Sequence, residues 1–102
     1  MKEGQIHISQ KERGVLEEIL RSELEGELVF VFGSRVRGDH RDSSDLDIAI
    51  LGSSPLPIKI RSNLEFRFSE SDLPFRVDIV DLLTAEEGFK RSISAELIPF
   101  TY

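Results

Sequence analysis

The chain has 102 residues, no cysteine, and a net charge of −6 from 13 basic and 19 acidic side chains. The lack of cysteine excludes disulfides, zinc–thiolate sites and thiol nucleophiles. The acidic balance argues against direct binding of nucleic acid, since that affinity comes mostly from cationic groups placed against phosphates.

Length and apolar content predict one ordinary folded domain spanning residues 1–102. The longest uninterrupted apolar run, Leu28–Phe32, is far too short to cross a bilayer. The polar start Met1–Gln5 lacks the apolar stretch of a secretory signal. We therefore expect a cytoplasmic protein with no membrane partner.

The first predicted element is a helix that begins after Ser9. Ser9 and Glu12 have the spacing of a capping box, and Gly26 supplies a stop. Between them, apolar residues recur at helical spacing, namely Val15, Leu16, Ile19, Leu20 and Leu24. The apolar run Leu28–Phe32 then predicts a central strand that is covered on both faces.

Gly33 and Ser34 follow this strand and form a candidate phosphate-binding turn. Glycine lets the backbone approach a ligand closely, and free N–H groups at a following helical turn would face an anion. The turn is not a Walker A motif, because no Gly-Lys-Ser/Thr occurs. Of the arginines in the loop that follows, Arg35 is nearest, and we expect it to contact phosphate.

Asp45 to Leu51 predicts a second strand, in which Asp45 and Asp47 lie on one face. Two like charges side by side in a strand repel each other, and a divalent cation would offset that cost. Carboxylate oxygens are the ligands that Mg²⁺ prefers. Such a pair alone is more often a solvated strand start, but its combination with Gly33 and Ser34 favours a nucleoside triphosphate bound with metal.

The rest of the chain predicts further helices and strands in alternation. They are, in chain order, a helix from the four-residue spacing of Ile60, Leu64 and Phe68, a strand over Phe75–Leu82, a helix capped by Thr84–Glu87, and a closing strand with alternating Ile98, Phe100 and Tyr102. This interleaving predicts an α/β or α+β domain with a mixed sheet of three to four strands.

A third carboxylate would complete a site for two metal ions, one activating the attacking oxygen and the other holding the triphosphate. The third strand offers Asp78 and Asp81, which alternation places on opposite faces. Asp78 is the better candidate for a metal ligand and base, because it lies among β-formers, whereas Asp81 lies at the strand end where exposure costs nothing. His7 and His40 have no companion at ligand spacing, so we expect both to be solvated.

The segment GSRVRGDHRDSSDLDIAIL, residues 33–51, resembles the signature of the DNA polymerase β-like nucleotidyltransferase superfamily in its minimal form. The segment FRVDIVDLL, residues 75–83, is similar to the strand that holds the distal carboxylate of that family. The resemblance covers the chain from the first predicted helix to the last.

The resemblance implies a compact mixed-sheet fold and magnesium-dependent transfer of AMP from ATP to an acceptor hydroxyl. By position, it implies that Gly33 and Ser34 hold the β- and γ-phosphates and that Asp45, Asp47 and Asp78 are the catalytic, metal-binding acids. Small members resemble antitoxins that adenylylate a tyrosine of a HEPN-domain toxin, which predicts a hetero-oligomer with such a partner.

Larger relatives carry further domains that bind the acceptor, whereas this sequence ends at Tyr102, which favours a protein acceptor supplied by a partner. Two alternatives stay open. One is a non-catalytic antitoxin that neutralises its partner by contact, with its acidic charge facing a basic surface. The other is the catalytic subunit of a two-chain small-molecule nucleotidyltransferase.

Overall fold

A computed structural model describes residues 5–102 and contains a four-stranded mixed sheet with helices packed against it. The elements, in chain order, are α1 (Gln10–Glu23), β1 (Leu28–Phe32), α2 (Ser34–Arg37), β2 (Leu46–Leu51), α3 (Ile58–Ser69), β3 (Val77–Asp81), α4 (Glu87–Ile93), a 3₁₀ turn (Ser94–Glu96) and β4 (Ile98–Phe100). The predicted α+β class and the upper value of the predicted strand number are confirmed.

The strand order is β3-β2-β1-β4, so β1 and β2 are the central strands. β1 pairs antiparallel with both β2 and β4, whereas β2 pairs parallel with β3. A parallel pair needs a crossover connection, and α3 lies in the connection between β2 and β3. Pro99 lies in β4, an edge strand, which is where proline is tolerated within a sheet.

Helix α1 begins as its capping-box spacing predicts. The Ser9 hydroxyl accepts a hydrogen bond from Glu12 N–H at 3.0 Å, and Ser9 N–H donates to the Glu12 carboxylate at 2.8 Å. One face of α1 and one face of α3 bury apolar side chains against the sheet, and each fully buried side chain contributes about 1.5–3 kcal/mol. The fully buried members of this core include Leu16, Leu20, Val31, Leu46, Ile48, Ile50 and Leu64.

The opposite face of the sheet has a smaller apolar cluster. Phe32 and Ala49 pack there with Leu82 and with Ile93 of α4. Because side chains alternate along a strand, Asp47 shares this face with Phe32, its partner in the β1–β2 register. Asp47, and Asp78 paired with it in the neighbouring strand, therefore have their side chains on the sheet face that α1 and α3 do not cover.

The structure differs from the sequence prediction at several element boundaries, and β3, for example, is confined to Val77–Asp81 within the predicted Phe75–Leu82. β2 begins at Leu46, one residue after the predicted start. The capping box predicted at Thr84–Glu87 does not form, because Ala85 N–H donates to Asp81 O at 3.0 Å and closes a turn there. As a result, α4 begins only at Glu87 and has no side-chain cap.

Among the residues described, no helix has both the length and the apolar character needed to cross a membrane. The cytoplasmic location stays a prediction.

Candidate active site

The strand topology brings three distant chain segments to one edge of the sheet. β1 ends where the antiparallel β2 begins, and the parallel β3 begins at that same edge. Gly33 directly follows β1, Asp47 is the second residue of β2, and Asp78 is the second residue of β3. The candidate phosphate-binding turn and the candidate acids therefore meet at this edge.

Gly33 is required at its position for two separate reasons. Its φ is +88°, a backbone conformation that residues with a Cβ rarely adopt. A Cβ built on Gly33 would also collide with Asp47 Oδ2, so only glycine lets that carboxylate lie against the turn. Ser34 then begins α2, and Val36 and Arg37 donate their N–H groups to Gly33 O at 3.0 and 3.1 Å.

The three predicted acids are neighbours. Asp47 and Asp78 are partners in the parallel register of β2 and β3, so their side chains lie side by side on one face. Asp45 precedes β2, and its carboxyl group lies within hydrogen-bonding reach of the Asp78 carboxyl. The structure thus brings together the acids that the sequence pattern singled out, while their roles as metal ligands stay a prediction.

Crowding and burial disfavour the ionised forms of these acids. The pKa of Asp47 is raised to about 6, mainly by burial and also by the charges of Asp78 and Asp45, whereas Arg37 opposes the shift. Burial is also the largest cause of the raised pKa of Asp78, followed by repulsion from Asp45. Binding of a proton or of a cation at these carboxylates would therefore reduce the repulsion between them.

The donor chemistry of the three acids fits Mg²⁺. Carboxylate oxygens are hard ligands, and a divalent cation would relieve the repulsion that raises the pKa of Asp47 and of Asp78. Within residues 5–102, however, no group of three or more histidine, aspartate and glutamate side chains is already arranged around one point to hold a metal ion. The acids are therefore close together but not yet in a coordinating arrangement.

Arg35 does not have the position that the sequence predicted. Its side chain is 5% exposed, and its guanidinium donates to the backbone carbonyls of His7, Arg41, Asp42 and Ser44 at 3.0–3.3 Å. It also lies 4.2 Å from the centroid of the Phe75 ring. The guanidinium thus holds the loop between α2 and β2 in place and is not directed at a phosphate.

Asp81 is a structural residue, as expected, but for a different reason than exposure. Its side chain is buried, and its two carboxylate oxygens accept the N–H groups of Leu56 and Leu83 at 2.9 and 3.0 Å. The burial of Asp81 and its bonds follow from tertiary contacts.

The histidines also differ from the expectation that both are solvated. The His7 and His40 rings lie 5.2 Å apart, and His40 Nδ1 is buried without a partner among the described residues.

A groove with a volume of about 880 Å³ lies beside Asp45 and Asp78. It runs along the outer edge of β3 and is bordered by polar and apolar side chains of α3 and of the segment before β3. Arg61 partly closes this edge by donating to Ile79 O at 3.0 Å. Because Asp45 and Asp78 both line the groove, it is the candidate place for an acceptor group.

The family model for polymerase β nucleotidyltransferases matches residues 15–99, which include Gly33, Ser34 and all three acids. The chain belongs to this nucleotidyltransferase family. The match spans β1 to β3, α2 to α4 and most of α1 and β4, so the family assignment rests on nearly the whole domain.

Individual relatives of this nucleotidyltransferase agree with the family match. "Probable protein adenylyltransferase MntA" of Haemophilus influenzae is 42% identical over 90 residues, covering 88% of this chain and 79% of the relative. A chain of the crystal structure of a toxin–antitoxin with AMP-PNP has a TM-score of 0.72 at 28% identity, covering 87% of this chain and 72% of that chain. A chain of the complex of tri-AMPylated Shewanella oneidensis HEPN toxin with MNT antitoxin has a TM-score of 0.70 at 25% identity, covering 92% and 72%.

The sequence gives no sign of Glu96 beside the turn, and it favours Arg35 over Arg37 as the loop arginine at the site. Glu96 Oε1 accepts a hydrogen bond from Gly33 N–H at 2.9 Å, and Arg37 Nη1 lies 3.2 Å from the same oxygen. No motif or spacing in the sequence indicates this contact, because Glu96 is 63 residues from Gly33 in the chain. Only the packing of the 3₁₀ turn beside the end of β1 brings them together.

Proposed function

We propose that this chain transfers AMP from ATP to a tyrosine hydroxyl of a HEPN-type toxin and thereby acts as its antitoxin. Membership of the nucleotidyltransferase family supports transfer of a nucleotide. The protein-adenylyltransferase relative and the similarity to a complex with an AMPylated HEPN toxin support a protein acceptor. The similarity to a toxin–antitoxin structure with AMP-PNP supports an adenine nucleotide as donor.

The single observation that supports the proposal most is the side-by-side position of Asp47 and Asp78 next to Gly33. The raised pKa of each acid reflects burial and repulsion that destabilise the folded protein when the acid is ionised. Perturbed acids of this kind beside a glycine turn are typical of a functional site. A structural acid instead has its oxygens hydrogen-bonded, as Asp81 does to two backbone N–H groups.

In this proposal the residues of the turn bind the triphosphate. Gly33 presents its backbone closely, and Ser34 offers a hydroxyl and a free N–H at the start of α2. Asp45, Asp47 and Asp78 would hold Mg²⁺, which when bound supplies positive charge that polarises the triphosphate and stabilises the departing pyrophosphate.

Asp78 has a second proposed role. It lies on the groove side of the site and has a raised pKa, so its carboxylate can accept the proton of an acceptor hydroxyl as the hydroxyl attacks. The groove is open along β3, which suits a tyrosine presented on the surface of a partner.

Mass spectrometry of the partner tests the proposal. The purified chain, the HEPN protein encoded beside it, ATP and Mg²⁺ are mixed, and we expect the partner to become heavier by one or more AMP units. The double variant Asp45→Asn with Asp47→Asn should remove this gain, whereas Asp72→Asn, an exposed acid far from the turn in sequence, should keep it.

The other outcomes identify the alternatives. If the double variant still neutralises the toxin in cells, neutralisation occurs by contact and the enzymatic proposal is wrong. If the partner stays unmodified but a small metabolite stimulates pyrophosphate release, the chain is the catalytic subunit of a small-molecule transferase. An unchanged partner mass with no pyrophosphate release would exclude both enzymatic forms.

A further inference from the structure

Glu96 holds the backbone donor at which the triphosphate is proposed to bind. Its Oε1 accepts from Gly33 N–H at 2.9 Å, and its two oxygens lie 3.2 and 3.3 Å from Arg37 Nη1. A backbone N–H together with a guanidinium is a donor pair that binds phosphate oxygens. The Glu96 carboxylate therefore accepts hydrogen bonds from Gly33 N–H and from Arg37, the two donors that a bound phosphate would use.

The position of Glu96 in the fold is compatible with displacement. Glu96 is the last residue of the 3₁₀ turn Ser94–Glu96, and its side chain is 24% exposed to solvent. Arg37 is half exposed and has a second carboxylate partner, Asp39, at 3.4 Å, so it does not depend on Glu96 to remain in place. Rotation of the Glu96 side chain away from the turn would free Gly33 N–H.

We propose that Glu96 is an internal competitor for the nucleotide, which occupies the phosphate-binding turn in the nucleotide-free protein and must leave when the triphosphate binds. This inference rests on the proposed function, since it takes Gly33 to be a phosphate-binding residue. A phosphate oxygen at Gly33 N–H would lie next to the Glu96 carboxylate, and the two negative charges repel each other. Glu96 thus lowers the affinity for nucleotide and favours its release.

Nucleotide binding to the Glu96→Gln variant tests the inference. The glutamine has the same size but no charge, and a charge-assisted hydrogen bond is roughly twice as strong as a neutral one. Calorimetry with AMP-PNP and Mg²⁺ should give a dissociation constant about 5- to 10-fold lower than that of the natural chain. The KM for ATP should fall similarly with little change in kcat.

Two controls separate this effect from general charge and from base recognition. Glu87→Gln removes the same charge from an exposed position of α4, where the side chain contacts Lys90 and not the turn, and should leave the affinity within about twofold. Inorganic tripolyphosphate with Mg²⁺ should show the same gain with Glu96→Gln, because the competition concerns phosphates only.

The results divide clearly. Equal or weaker AMP-PNP binding by a folded Glu96→Gln variant would overturn the inference, since Glu96 would then organise the turn for the ligand. If that variant does not fold, Glu96→Ala, which removes both the charge and the acceptor at Gly33 N–H, decides in the same way. If neither the natural chain nor any variant binds AMP-PNP, the proposed function fails and this inference fails with it, whereas binding without a gain overturns the inference alone.

Discussion

Asp47 and Asp78 lie directly opposite each other in the parallel register of β2 and β3. Arg76, which is mostly exposed, lies 3.6 Å from Asp78 Oδ1, yet the pKa of Asp78 is still raised because burial and Asp45 outweigh that charge. The folded chain therefore keeps two acids in an arrangement that opposes their ionisation. This relationship leads to a measurable dependence of stability on pH.

Asp47→Asn should stabilise the metal-free protein at neutral pH. The pKa of Asp47 is raised from 3.8 to about 6, so its contribution to stability is present below pH 3.8 and is lost as the pH rises through 6. Asparagine removes that loss. We expect the free energy of unfolding to rise by about 1 kcal/mol at pH 7.5, a value reduced because solvent screens this partly exposed group.

Urea unfolding in the presence of EDTA at pH 4 and pH 7.5 measures this effect. The gain from Asp47→Asn should be much smaller at pH 4, where the natural carboxyl is protonated in the folded protein. Asp72→Asn removes the same charge from an exposed position and should change stability little at either pH. A loss of stability for Asp47→Asn at pH 7.5 would contradict the assigned repulsion.

Gly33→Ala should destabilise the fold and abolish nucleotide binding. The alanine Cβ would collide with Asp47 Oδ2 and would also require a positive φ. Gly26→Ala is the matched control, because Gly26 has a φ of +91° and nothing within 4 Å of the added Cβ. We expect Gly26→Ala to lower the free energy of unfolding by about 1–2 kcal/mol through backbone strain. Gly33→Ala should lower it by at least about 1 kcal/mol more.

Thermal and urea unfolding, with AMP-PNP calorimetry on the folded variants, measure the difference between these glycines. Gly26→Ala should keep nucleotide binding, since Gly26 lies between α1 and β1, at the other end of β1 from Gly33. Equal unfolding costs with unimpaired binding in both variants would show that Asp47 does not need the space at Gly33.

Asp78→Asn and Asp81→Asn should separate function from stability. Asp81 accepts N–H groups with both oxygens, and its amide replacement leaves one buried donor without an acceptor, at a cost of about 1–3 kcal/mol. Asp78 accepts no backbone N–H among the described bonds, so its replacement should leave stability unchanged or slightly raised. AMP transfer should be lost in Asp78→Asn and kept by the folded fraction of Asp81→Asn.

Arg35→Lys should act on stability rather than on nucleotide affinity. A lysine ammonium cannot reproduce the set of hydrogen bonds that the guanidinium makes to four carbonyls, so we expect a loss of about 2–4 kcal/mol. Arg41→Lys, at an exposed position in the same loop, should have little effect. If the fully folded Arg35→Lys variant bound AMP-PNP more weakly than the natural chain, the prediction that Arg35 contacts phosphate would be supported after all.

The sequence by itself determined the element types and the positions of the main acids. The capping box at Ser9, the apolar run Leu28–Phe32 and the four-residue spacing in α3 are local signals, and the structure has a helix or strand at each. Alternation along a strand is also local, which is why Asp78 and Asp81 could be placed on opposite faces before their surroundings were known. These patterns depend only on backbone periodicity and short-range capping.

Tertiary structure alone decided which polar side chains face the site. Arg35 is adjacent to the phosphate-binding turn in sequence, but the carbonyls of the following loop and the Phe75 ring draw its guanidinium away. Glu96 is far from the turn in sequence, but packing of the 3₁₀ turn brings its carboxylate to Gly33 N–H. A buried polar group must find partners wherever the fold supplies them, and no local pattern encodes those partners.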